Sequence, residues 1–561
     1  MKKKLSKLIA VLFILATTLG GAGSGVAANK AIRPNEGNLT IHKYWSETSA
    51  GVGDEGTGEK LDDEPSNPAI KGIQFDVYLL KPQASSLDTP PSDKDGWVYS
   101  KTDDVLTISK AGETSMTYNL VKQTADADKY ADGKTDSNGE LKYTGLDAGY
   151  YYVEENLTAS PKYEVQGTGN EDKKITSATK PFIVAVPMTN LEGDGWNKDV
   201  HVYPKNQGLN PEKKPEVPSI NVGDKVEWTI TANVPSDIAD YQKFDVIDEL
   251  DKRLNYAGDD TVLVVGSDGS EPVVPLVTLT KSTDDGINGD YVIKHQDGST
   301  KEKLTISLTP AGISKLATTT GVKKVVLSFE TTVNGNIKSD DENGIKNDAT
   351  IEFDNGTTTD TDKTPIAEVH TGEIKIDKTY SGGIDSINDT SAQFQLAKTS
   401  ANAEAGEYYR VILDSTDSYI TDIVAPGEPG YTTAKEWIAL PSQADTKEQT
   451  GLVGNIFYVT SFEGLQTYTE TTPGGIKDYK SYYLVETKAP EDYNLLDGPV
   501  EVAFTKDDLE TKYVHTKAIE NKNGFTLPNT GGVGTILLVV FGIILIGLAI
   551  ILSMNKKKKT A

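Results

Sequence analysis

The stretch Val226-Glu227-Trp228-Thr229-Ile230-Thr231-Ala232-Asn233-Val234 alternates apolar and polar residues without a break. Successive side chains of a strand point to opposite faces, so this period of two reads as a β-strand with one buried face. The same alternation recurs on both sides of it. Ile374 and Ile376 alternate with Lys375 and Asp377, and turn clusters such as Asp136-Ser137-Asn138-Gly139 punctuate the runs. Helical periodicity is absent, and short strands between turns predict an all-β chain of immunoglobulin-like β-sandwiches.

Composition agrees and narrows the function. Among 561 residues there are 26 tyrosines against 12 phenylalanines and 5 tryptophans, a balance suited to half-buried strands. The chain has no cysteine, which removes disulfides, thiolate zinc sites and thiol catalysis, and only five histidines. No metal or other cofactor is expected. Formal net charge is −27, although eight lysines (Lys2, Lys3, Lys4, Lys7 and Lys556 to Lys559) crowd the two ends. An acidic surface of this kind repels nucleic acid and anionic lipid.

Both ends read as addresses. Residues 1–28 have the basic start, the apolar run Leu8–Leu15 and the small-residue site Val26-Ala27-Ala28 of a secretory signal. Thr535 to Leu552 is an 18-residue apolar run, long enough for a transmembrane helix, and Lys556–Lys559 would hold its far end in the cytoplasm. Between the ends, proline-rich 204–218 and Thr/Asp-rich 357–365 read as linkers. They predict sandwich-sized domains at 29–206, 207–366 and 367–526, with 527–561 as the tail. The first and third are predicted to share a fold. Ile73-Gln74-Phe75-Asp76-Val77 matches Ala392-Gln393-Phe394-Gln395-Leu396, and Tyr151-Tyr152-Val153-Glu154-Glu155 matches Tyr482-Tyr483-Leu484-Val485-Glu486.

The period of two also places polar residues on apolar faces. Glu486 shares a face with Tyr482 and Leu484, Lys378 with Ile374 and Ile376, and Asn521 with Ile519. In the first part the matching residues are Lys43, Glu155 and Asn206. In the second, Asp248 follows Phe244 and Val246 in phase, and Asn347 precedes Ala349 and Ile351. Lys213 and Lys214 stand where the second part's lysine belongs, although Pro215 and Pro218 interrupt that strand. Buried charges pair or neutralise. One reading is a buried Lys–Glu ion pair near a strand end, or exposed residues at frayed termini, and for the second part Asp248 as an ordinary solvated residue with no cross-link. The other is chemical. Desolvation makes the amine neutral and keeps the acid protonated, so the lysine attacks the asparagine carboxamide and expels ammonia.

Further signals resemble a known family. Leu527-Pro528-Asn529-Thr530-Gly531, the apolar run and the basic tail together resemble the cell-wall sorting signal of Gram-positive surface proteins. Tyr482-x-Leu484-x-Glu486-Thr487-x-Ala489-Pro490-x-x-Tyr493 resembles the pilin E-box, and Trp196-Asn197-Lys198-Asp199-Val200-His201-Val202-Tyr203-Pro204-Lys205 resembles the pilin motif. By these residues the chain resembles a backbone (major) pilin of sortase-assembled pili with Cna B-type domains. The resemblance implies that a sortase cuts between Thr530 and Gly531 and joins Thr530 to Lys205 of the next copy, building a surface pilus on the wall of a Gram-positive bacterium. It implies Lys–Asn isopeptide bonds: Lys378–Asn521 with catalytic Glu486, Lys43–Asn206 with Glu155, and Lys213–Asn347 with Asp248. A tie over such a distance is worth about 4–5 kcal/mol by the loop-entropy arithmetic of disulfides.

The implied partners are further copies of the chain, pilus-specific and housekeeping sortases, minor pilins and peptidoglycan. No host ligand is legible. Val200 and Val202 are expected to face inward and Lys205 to be an accessible amine. The alternative is a wall-anchored adhesin or tip pilin on Cna B stalk domains. An enzyme is disfavoured, since no catalytic constellation other than the self-modifying one appears. Asp126-Ala127-Asp128 and Asp414-Ser415-Thr416-Asp417-Ser418 fail the spacing of calcium and adhesion-type metal loops.

Overall fold

The computed structural model describes residues 32–46, 56–61, 67–127, 129–130, 132–167, 173–176, 178–258, 262–283, 288–296, 301–335, 344–356, 359–381, 392–441, 450–470, 475–491, 493–524 and 533–557. Among them strands dominate. Strand Lys225–Asn233 buries Val226, Trp228, Ile230 and Ala232, the apolar half of the alternating stretch. It lies between strands Glu212–Pro215 and Lys324–Val333 in antiparallel register, with Trp228 opposite Phe329.

The chain forms two compact units, the first comprising Met1–Trp45, Gly53–Glu171 and Ala178–Lys205 and the second the remainder. The first is a β-sandwich. Its smaller sheet runs Asp199–Val202, Glu36–His42, Glu140–Asp147. Its larger sheet has six strands and includes Gly149–Asn156 beside Gln74–Pro82. The first strand, Glu36–His42, pairs in parallel with Asp199–Val202, so that Leu39 faces Val200 and Ile41 faces Val202.

The larger sheets of the second unit form two successive pairs, one before residue 366 and one after it. Their buried side chains form one continuous core, from Leu209 to Ile519, so these two parts pack as a single body. The later pair repeats the plan of the first unit. Strand Gly372–Tyr380 pairs in parallel with Val514–Asn521, and antiparallel with Phe462–Leu465. The sequence repeat shows in the register: Phe75 stands opposite Glu155, and Phe394 stands opposite Glu486.

Three expectations change. Within the expected linker, Thr359–Lys363 pairs with Ala349–Asp354 as the edge strand of a sheet. Its acidic side chains suit an edge, where charge discourages further pairing. The proline-rich stretch 204–218 likewise contains a strand, Glu212–Pro215, with proline at its last position on an edge. The third change is a helix, Pro310–Thr318, capped by Thr309, whose hydroxyl accepts from the backbone N–H of Gly312. Pro310 at its first turn, where no N–H is needed, marks the start.

At the C-terminus, helix Val533–Lys557 covers the apolar run. The side chains of Thr535 and Ile536 lie outside the described residues, and among the described residues no helix is long and apolar enough to cross a membrane. The signal segment 1–28 and the motif Leu527 to Gly531 also lie outside the described residues.

Candidate functional site

In the C-terminal sandwich the parallel pairing of first and last strands sets Lys378 opposite Ile519 and Tyr380 opposite Asn521. Lys378, Glu486 and Asn521 are 4%, 6% and 1% exposed. Asn521 Nδ2 donates to Glu486 Oε2 at 2.9 Å and to the carbonyl of Asn494 at 2.7 Å. The N–H of Leu496 also donates to Glu486 Oε2, at 3.1 Å. Burial pushes the Glu486 carboxyl above its ordinary range, against the opposing pull of these hydrogen bonds and the Lys378 charge. The remaining oxygens, Glu486 Oε1 and Asn521 Oδ1, are buried without a hydrogen-bond partner. Lys378 Nζ donates to the carbonyl of Thr379 at 3.1 Å and sits 4.2 Å from the centre of the Tyr380 ring.

In the preceding sandwich, Lys213 Nζ donates to Asp248 Oδ2, and both side chains are fully enclosed. The amine also lies 5.0 Å from the Trp228 ring centre and 5.6 Å from that of Phe329. Asp248 is therefore not solvated, and Pro215 leaves the strand intact through Lys213, which stands opposite Ile230. Burial lowers the lysine pKa and raises that of the acid, driving both towards neutrality. Asn347 is 1% exposed and close enough to help hold Asp248 down, yet neither of its amide atoms makes a hydrogen bond of ordinary geometry.

In the first unit, Lys43 follows Leu39 and Ile41 in phase and is fully buried. Its Nζ donates to Glu155 Oε2 at 3.1 Å and to Thr179 Oγ1 at 2.5 Å, 5.5 Å from the centre of the Phe75 ring. The N–H of Thr179 donates to the same glutamate oxygen at 2.6 Å. Burial pushes the Lys43 amine down to about 8, against the pull of Glu155. Asn206 is the first residue after this unit and is counted with the second, so the first unit itself contributes the lysine and the carboxylate. Thr179 was not foreseen; it comes from a segment without periodicity.

Lys205, expected to be the linkage lysine, departs from that expectation in its exposure. Lys205 is partly buried rather than freely accessible, and desolvation lowers its pKa. Val200 is fully buried as expected, whereas Val202, His201 and Tyr203 are all intermediate. The outward rings pack on a neighbour: His42 lies 4.7 Å from Tyr203, nearly parallel, and 5.1 Å from His201.

Asp414 uses its carboxylate to close its own turn, accepting from the backbone N–H groups of Thr416, Ser418 and Tyr419. Among the described residues no cluster of metal-ligating side chains occurs.

Residues 34–207 match the family described as Gram-positive pilin subunit D1, N-terminal domain, and residues 519–561 match the LPXTG cell wall anchor motif. The chain thus carries a Gram-positive pilin domain. The pilin is 29% identical over 584 residues to fimbrial subunit type 1 of Actinomyces viscosus, covering 96% of each chain. It is 25% identical over 535 residues to fimbrial subunit type 2 of Actinomyces naeslundii, covering 92% of this chain and 88% of the relative. Among solved structures it is similar to the full-length major pilin SpaD from Corynebacterium diphtheriae, at 22% identity and a TM-score of 0.47, over 88% of this chain and 98% of the other. The pilin is a structural subunit rather than an enzyme, and its LPXTG anchor attaches it to the wall at the cell surface.

Proposed function

We propose that this pilin is the major subunit of a covalent surface pilus that supports adhesion. A pilus-specific sortase cleaves the Thr530–Gly531 bond and holds the Thr530 acyl group. The Lys205 amine of the next subunit takes that acyl group and loses a proton, leaving an amide. Such a contact is head-to-tail and open-ended, so repetition builds a filament. Minor pilins join the fibre, and a housekeeping sortase passes its base to peptidoglycan. The observation that carries the reading is that one chain holds both parts: the pilin D1 match runs to residue 207, taking in Lys205, and the anchor match takes in Thr530.

Within each subunit, Lys378 Nζ attacks Asn521 Cγ, the new C–N bond forms, the Asn521 C–N bond breaks, and ammonia leaves. Glu486 in its acid form polarises the carboxamide and carries the proton to the departing nitrogen. The buried contact between Glu486 and Asn521 supports this assignment. Lys213, Asp248 and Asn347 take the same roles in the middle part, and Lys43, Glu155 and Asn206 in the first.

The test is an immunoblot of wall extracts boiled in detergent with reductant. The native strain is expected to give a high-molecular-weight ladder that Lys205→Ala abolishes. A single band in both strains would overturn the reading and favour an adhesin or tip pilin.

A further inference from the structure

The strand that leads to Lys205, Asp199–Val202, leaves the smaller sheet of the first unit at Val202. Three residues on, Lys205 must be presented to a large enzyme although its side chain is partly buried. Tyr203 and Lys205 are both half-buried on either side of buried Pro204, whose ring restricts the backbone between them, so whatever fixes that tyrosine also aims the lysine.

Tyr203 is held from three directions. The His42 imidazole lies against its ring at 4.7 Å with 10° between the planes. The Tyr44 ring lies 6.4 Å away at 15°. Its hydroxyl accepts from the backbone N–H of Leu61 at 2.9 Å. The segment supplying that N–H is itself tied to the same strand: Gly58 O accepts from the His201 N–H at 2.9 Å and from Asn197 Nδ2 at 2.8 Å. Gly58 has a φ of +82°, and a Cβ there would lie 2.0 Å from Met188 Sδ, so the segment seats closely.

His42 is the centre of this arrangement. Besides stacking on Tyr203, its Nε2 meets His201 Nδ1 at 2.8 Å. One imidazole must donate and the other accept, which requires at least one neutral ring. Burial, aided by the neighbouring His201, pushes His42 down to about 4, and His201 is lowered as well. At neutral pH the pair is therefore an uncharged, hydrogen-bonded stack. His42 also ends the strand Glu36–His42, whose parallel pairing puts Thr40 opposite His201. The stack thus joins two neighbouring strands at the end where Tyr203 leaves the sheet.

We infer that His42 is a positioning residue for the polymerisation step: its ring clamps Tyr203 and so fixes the direction in which Lys205 meets the sortase-bound acyl group. The inference rests on the reading of Lys205 as the acceptor. It assigns His42 no proton transfer; the ring acts through packing. Misplacing a reacting group by about an ångström costs up to about a hundredfold in rate, so loss of the clamp reads out in chain growth.

The test uses the full chain in the native bacterium, comparing wild type, His42→Ala, His42→Phe and Lys205→Ala. The measurement is the ratio of ladder to monomer in wall extracts at equal surface amount, together with the intact mass and melting temperature of the monomer. His42→Ala is expected to lower the ratio about tenfold or more, with the monomer's mass deficit unchanged. His42→Phe keeps a flat ring against Tyr203 and is expected to restore the ladder. Wild-type polymerisation in His42→Ala, or equal loss in His42→Phe, would overturn the clamp while Lys205→Ala still abolished the ladder. A ladder that persisted in Lys205→Ala would instead remove the acceptor reading, and this inference with it.

Discussion

Glu486 accepts two N–H groups on one oxygen and leaves the other oxygen buried with nothing to bond. An anion is poorly served by that environment, whereas an acid carrying its proton on Oε1 could offer it to Asn521 Oδ1, which also has no partner. Replacing the acid with an amide removes the transferable proton while preserving size. Glu486→Gln is therefore expected to leave the chain about 16 Da heavier than wild type by intact mass, the roughly 17 Da of ammonia no longer lost less the roughly 1 Da by which glutamine is lighter than glutamate. A mass about 1 Da below wild type, the substitution alone, would mean that Glu486 has no part in bond formation. The inward direction of Lys378, Glu486, Asn521, Lys43 and Asp248 was legible in advance, because the two-residue period is a property of the backbone and needs no knowledge of the partner strand. Thr179, which donates to Glu155 and accepts from Lys43, was not, since it arrives from a loop with no period to read. The burial of Lys205 was missed for a related reason: phase gives the face of a side chain, not what another segment lays over that face.

At the scale of elements, the short strand Glu212–Pro215 does more than close a sheet edge: it delivers Lys213 to Asp248 inside the core. A buried pair is costly to break from one side, since the orphaned charge stays enclosed. In an Asn347→Ala background, where no amide can form, Asp248→Ala is expected to cost about 3–5 kcal/mol, measured by urea unfolding. A change near zero would mean that Lys213 is already neutral. A second junction lies between the two pairs of sheets of the second unit. There His370 stacks on Tyr513 at 3.6 Å and meets Thr467 Oγ1 at 3.1 Å, and burial pushes it down to about 3. The unfolded chain takes up that proton near the ordinary histidine pKa of about 6.5, whereas the folded chain resists until about 3. This contribution to stability is thus complete above pH 6.5 and shrinks as pH falls towards 3. The melting temperature is expected to fall over that window, and less steeply in His370→Gln; equal slopes would remove the assignment. The helix Pro310–Thr318 escaped the sequence reading because nine residues are too few to display a helical period, although Thr309 and Pro310 carried its start signal. The edge strand Thr359–Lys363 escaped because a strand without an apolar face has no alternation to find.

For the whole molecule, the β class followed from alternation alone, and the correspondence of first and third parts followed from two short matches that the registers Phe75–Glu155 and Phe394–Glu486 reproduce. The packing of the second and third parts around one core did not follow, because contacts between sandwiches involve loops such as Asn221, whose side chain accepts from the N–H of Gln466. One consequence concerns the parallel neighbours Gly372–Tyr380 and Val514–Asn521. Pulled from opposite ends, two such strands must slide past each other along their full paired length, so their hydrogen bonds resist together rather than one by one. The hundred-odd residues looped out between them are passengers on that axis. Substitutions on their surface are therefore expected to leave the resistance of this strand pair to pulling unchanged.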